Sequence, residues 1–103
     1  MDMISEKVKA GDVCTQAAML VAGDREKTHG NKVENHANIA DLWNAYLGTK
    51  LNVVICAHDV AIMMVLLKVA RTKTGAVNKD DYVDIAGYAG CAAEIAHKIT
   101  PIR

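Results

Sequence analysis

The stretch that most constrains this chain is Asp59–Arg71, D-V-A-I-M-M-V-L-L-K-V-A-R. Val60 through Leu67 are apolar without a break, and Lys68 is followed by Val69 and Ala70. A surface helix carries an apolar stripe with polar residues opposite it. Here no polar side exists until Lys68, so the spacing predicts a helix covered on nearly all sides. The apolar run is too short to cross a bilayer, which takes about 20 residues. Protein must therefore supply the cover, from the rest of the chain or from a second copy of it.

A chain of 103 residues is expected to form one domain over 1–103, and small domains often supplement their core by oligomerising. Aromatics make up only 4% of it, with no Phe, which argues against base stacking on single-stranded nucleic acid. Twelve basic residues balance twelve acidic ones. The basic excess of a DNA binder is absent, and a neutral chain resists self-association little. Cys14, Cys56 and Cys91 lie far apart with no C-x-x-C pair, so they read as small buried hydrophobes in a reducing cytosol. The N-terminus, M-D-M-I-S-E-K, lacks the basic and apolar regions of a signal peptide. No membrane segment is expected, and the location implied is cytoplasmic.

Taken in order, residues 4–22 read as a first helix, with Ile4, Val8, Cys14, Ala18 and Val21 at helical spacing and Gly23 at its end. Residues 23–30, G-D-R-E-K-T-H-G, read as a charged loop. Arg25, Lys27 and His29 alternate there, a plausible anion cradle; on spacing alone a solvated connector is the favoured reading. A second helix is expected over 32–47, capped by Asn31 with Glu34 three residues on and stopped by Gly48. Its core side is Val33, Ile39, Leu42, Trp43, Tyr46 and Leu47, and its polar side is Glu34, Asn38 and Asp41. Residues 49–55 read as a connector with extended character. The apolar helix follows, with Cys56 at its cap and Asp59 favourably placed near its N-terminus. A fourth helix starts after Asn78 and runs to about Lys98, with Ile85, Tyr88, Ala89, Ala92, Ile95, Ala96 and Ile99 lining one side. Gly87, Gly90 and many Ala residues make it thin enough to pack closely on the apolar helix. The fold class expected is all-α: a compact four-helix domain with antiparallel neighbours, homo-oligomeric.

Glu34, Asp59 and Asp81 all fall three residues after a cap, which helix capping explains without further function. Asp84 is not explained that way, since a carboxylate beside an apolar stripe needs a partner or a cation. Asp81 and Asp84, facing Glu34, Asn38 and Asp41, would make an oxygen-rich pocket of the kind Mg²⁺ prefers. The competing reading pairs Asp84 with Lys68 or Arg71. His29, His36, His58 and His97 form no metal-ligand pair, and no serine-nucleophile, Walker or dinucleotide motif is present.

Four stretches together, G-D-R-E-K-T-H-G, N-I-A-D-L-W-N-A-Y-L-G, D-V-A-I-M-M-V-L-L-K-V-A-R and D-Y-V-D-I-A-G-Y-A, resemble a family of short helical proteins of unknown function from tailed phages and prophages. That resemblance implies action inside an infected or lysogenic bacterium. More distantly, the chain is similar to the all-α nucleoside triphosphate pyrophosphohydrolases of the MazG type, which bind Mg²⁺ through E-E-x-x-E and E-x-x-D motifs and assemble as dimers or tetramers. D-Y-V-D matches the later motif with Asp for Glu; the earlier one is matched only by Glu34 and Asp41, with Asn35 and Asn38 between. What this likeness implies is a nucleotide-phosphate-binding protein with a possible Mg²⁺ at Glu34, Asp81 and Asp84. Arg25, Lys27, His29, Lys68 and Arg71 would bind the phosphates. As an enzyme it would cleave between the α- and β-phosphates. The alternatives are a non-catalytic sponge that sequesters a host cyclic nucleotide messenger against anti-phage defence, and a structural or interaction protein.

Overall fold

The computed structural model describes residues 8–23 and 31–99. They form four helices: α1 (Ala10–Ala22), α2 (Lys32–Leu47), α3 (Ala57–Arg71) and α4 (Lys79–Ile99), with a 3₁₀ turn at Gly48–Lys50. No strand occurs among the described residues, so the all-α expectation holds.

The helix ends follow local chemistry. Asn31 Oδ1 accepts from the backbone N–H groups of Val33 and Glu34 at 2.7 and 3.2 Å, filling two orphan donors at the start of α2. Gly48, at φ 52°, closes that helix and donates its N–H to the Asn44 carbonyl. Asn78 Oδ1 accepts from Asp80 N–H at 2.9 Å to start α4. Asp59 Oδ2 reaches back to the Cys56 N–H at 3.0 Å. That backbone bond, and then the Cys56 thiol, hold the Asp59 carboxyl below its ordinary pKa. The helix α1 begins later than its apolar spacing predicts, after an extended Lys9 that provides no side-chain cap; Ile4 lies outside the described residues.

The connector after α2 is held by one side chain. Asn44 donates to the Ile55 carbonyl at 2.8 Å and accepts from the Ile55 N–H at 2.9 Å. One amide thus does what a partner strand would, and Ile55 is carried inward to lie 7% exposed against Ala40 and Val60.

The helices do not close into a bundle. Among the described residues α1 packs on α4 alone, α4 packs mainly on α3, α3 also packs on α2, and α2 only grazes α4. Three small apolar clusters replace one core. The first joins Val13 and Ala17 to Val83, the second joins Ala40 to Ile55 and Val60, and the third joins Ala61 to Ala92 and Ile95. The Cα radius of gyration is 15.8 Å with extents of 53 × 31 × 28 Å, whereas a compact chain of this length has roughly 13 Å. The molecule is elongated, which corrects the expected compactness.

Openness also explains which apolar residues stay wet. Only Val60 and Ala61 of α3 are fully buried, while Ile62, Met63, Leu66, Leu67 and Val69 are exposed. The expectation of a helix covered all round is therefore not met within one chain. Leu42 and Tyr46, expected inside, are 70% and 76% exposed, because no described helix covers that side of α2. Cys14 and Cys56 are exposed and only Cys91 is buried, another departure from expectation.

The thinness of α4 acts through its alanines. Ala92 lies against Ala61 of α3, whereas a Cβ on Gly87 would meet Val21 of α1 at 3.5 Å and one on Gly90 would meet nothing within 4 Å. Gly90→Ala should therefore raise stability by about 1 kcal/mol through helix propensity alone. An increased midpoint of urea unfolding at unchanged slope would show it.

Candidate functional site

Four charged side chains converge where the end of α3 passes the start of α4. Lys68 Nζ lies 3.0 Å from Asp84 Oδ2, and Arg71 Nε lies 3.5 Å from Asp81 Oδ1. Both helices place their pair three residues apart, so the partners lie one turn apart on one face. The order 68 to 84 and 71 to 81 requires α3 and α4 to run antiparallel. The ladder is mostly dry: the side chains of Asp81, Lys68 and Asp84 are 9%, 14% and 26% exposed, and only Arg71 is open at 56%. Within one chain Asp84 is ion-paired with Lys68.

Glu34 does not join this group. It is exposed at the start of α2, where its neighbour Val33 packs against Ala92 and Ile95 and Lys32 bonds Glu94 at 3.3 Å. Asp84 is eight residues from Ala92 along α4, about 12 Å by helix rise. Asn38 and Asp41 also face solvent. No three His, Cys, Asp or Glu side chains among the described residues gather closely enough to hold a metal ion. Asp81 and Asp84 offer two carboxylates, the number Mg²⁺ uses when waters and substrate phosphates complete its shell. Arg25, Lys27 and His29 lie outside the described residues.

One buried polar side chain escaped the sequence reading. His36 is 8% exposed and packs edge-on against Tyr88, centroids 6.2 Å apart. Its Nδ1 lies 2.7 Å from the Lys32 carbonyl. A carbonyl only accepts, so Nδ1 carries a proton, and Nε2 is buried without a hydrogen-bond partner among the described residues. Its signal in the sequence is a His on the same side of α2 as Val33, Ala40 and Trp43.

Residues 12–96 match the model of a domain of unknown function, DUF6378, and the chain belongs to that family. It is 45% identical over 78 residues to the gene 55 protein of Mycobacterium phage L5, covering 76% of this chain and 48% of that protein. With the gene 55 protein of Mycobacterium phage D29 it shares 37% over 83 residues, 81% of this chain and 52% of the relative. The chain spans about half the length of these curated relatives. No solved structure matches it. The expected kinship with phage proteins of unknown function is borne out. No helix among the described residues is long and apolar enough to cross a membrane.

Proposed function

We propose that this phage-family domain holds the phosphate groups of a nucleotide at the Lys68–Arg71–Asp81–Asp84 ladder. The observation that carries this reading is the ladder's near-dryness. Desolvating Lys68, Asp84 and Asp81 is costly, and apolar residues of similar size would hold α3 on α4 at least as well. Charges kept in such a place suit a binding role better than a scaffolding one. Arg71, the open member, faces water with a guanidinium fit for bidentate phosphate contact. Asp81 and Asp84 would hold a Mg²⁺ that arrives with the nucleotide, and that ion would supply charge neutralisation and a more acidic water. Release of Lys68 and Arg71 from their carboxylates would then turn both cations toward phosphate. The enzymatic form of this reading is pyrophosphate cleavage; the non-catalytic form is a sponge for a cyclic nucleotide messenger inside the host.

A second reading is favoured by the pairing itself. Each cation is matched by a carboxylate, so the ladder works as a latch and the domain as an interaction protein. The two separate on mass spectrometry of small molecules released on heating the full chain, after incubation with nucleoside triphosphates and cyclic oligonucleotides with Mg²⁺. Retention or conversion of a nucleotide, reduced at least tenfold in Lys68→Met/Asp84→Leu, is the result expected. Absence of any retained or altered nucleotide sinks this reading in favour of the latch.

A further inference from the structure

We propose that the outer face of α3 is the seam of a two-fold dimer, docked antiparallel on the same face of a second copy. This inference is independent of the ladder, which lies on the flank of α3 toward α4. Successive residues turn by about 100°, and that places Leu66 at the centre of the exposed face. Ile62, Met63, Leu67, Val69 and Ala70 surround it, all exposed, and Leu66 itself is 60% exposed. No charged residue breaks this apolar area.

Its two ends carry opposite charge and identify the occupant. Asp59 lies seven residues before Leu66 and Lys73 seven residues after it, two turns in each direction. Both are exposed. Lys73 stays near the helix line, because its N–H bonds the Ala70 carbonyl at 3.2 Å and Thr72 N–H bonds Val69 at 3.0 Å. A two-fold axis through Leu66 sets the Asp59 of each copy against the Lys73 of the other. It also sets Ile62 against Ala70, and Leu66 against Leu66. Parallel docking would bring Asp59 to Asp59 and Lys73 to Lys73, which repels. An isologous contact needs a self-complementary patch, and this one is self-complementary in apolar character and in charge. The chain's zero net charge adds no general repulsion between copies.

Cysteine cross-linking of the full chain tests the geometry. In a Cys14→Ser/Cys56→Ser background, Leu66→Cys is expected to form a disulfide-linked dimer under mild oxidation. Ile62→Cys alone and Ala70→Cys alone are expected to remain monomeric on a denaturing gel, since each lies about 12 Å from its own copy by helix rise. A mixture of those two chains is expected to cross-link. In sedimentation equilibrium, Leu66→Arg should weaken self-association about 100-fold or more, as for a central hot spot, with helix content unchanged. Lys73→Glu should weaken it about tenfold, since two like-charge contacts then replace two opposite ones. A monomeric wild type at every concentration overturns the proposal, as does a dimer indifferent to Leu66→Arg. Cross-linking of Ile62→Cys to itself would overturn the antiparallel arrangement.

Discussion

Replacing Lys68 with methionine is expected to destabilise the domain by about 1–3 kcal/mol, and adding Asp84→Leu to the same chain should return most of that loss. The single change keeps the length of the side chain and much of its packing. What it removes is the partner of Asp84, whose carboxylate lies 3.0 Å from Lys68 Nζ with its side chain 26% exposed. Water reaches part of that carboxylate, so the loss falls below that of a fully buried orphan charge. Leucine at position 84 removes the orphan and joins the apolar surface between α3 and α4. The asymmetry between single and double variants, read from denaturant midpoints, measures how little the pair itself stabilises. A double variant that unfolds as easily as Lys68→Met would mean that the pair holds the helices together, and a scaffolding role would then account for the ladder. A stable double variant that no longer retains nucleotide would separate binding from folding in one protein.

The parts of this fold legible in the sequence are the local ones. Asn31, Gly48, Cys56 with Asp59, and Asn78 mark helix ends through bonds to residues two to four positions away, and such bonds depend on nothing distant. Burial is a different quantity. The run from Val60 to Leu67 states that α3 avoids water on nearly all sides, but not whether one chain or two supply the cover. One chain covers the side of Val60 and Ala61 and leaves Leu66 bare. Leu42 and Tyr46 depart from expectation for the same reason. Their spacing is that of a core face, yet among the described residues no helix covers it.

The candidate site divides in the same way. Cations at 68 and 71 and carboxylates at 81 and 84, joined by a short loop, carry the spacing of an antiparallel ladder. The sequence offers a pairing of Asp84 with Lys68 or Arg71 and a metal pocket as alternatives, and leaves the Arg71–Asp81 contact unread. It could not show that Glu34 belongs beside the other end of α4, since that depends on where α2 crosses its neighbours. Apolar spacing marks neither Asn44 nor His36, since their contacts at Ile55 and Tyr88 lie on other segments. In the structure one of them ties a connector to its helix and the other is buried against Tyr88.

The largest stability loss is expected from Ile95→Ala, about 2–5 kcal/mol. Ile95 is fully buried between α4 and α3, and its cluster is otherwise built from Ala61 and Ala92, with Val33 and Ala57 at the edge. A cavity collapses only as far as its neighbours can lean into it, and alanines on rigid helices have nothing to extend. The cost therefore belongs near the upper end of that range. Domains of this size are stable by about 5–15 kcal/mol, and one divided into three small clusters has little to spare. Val13→Ala makes the contrast. Its cluster joins α1 to α4 and to no other helix, so the loss should release α1 while α3 and α4 stay folded. Hydrogen exchange distinguishes the two. In Val13→Ala, protection should fall in α1 alone; in Ile95→Ala it should fall in α2, α3 and α4 together. Both belong in a Leu66→Arg background, because a dimer seam on α3 would add concentration-dependent stability to the same helices. Equal loss of protection across all four helices in Val13→Ala would mean that the open row behaves as one cooperative core, and the three-cluster description would have to give way.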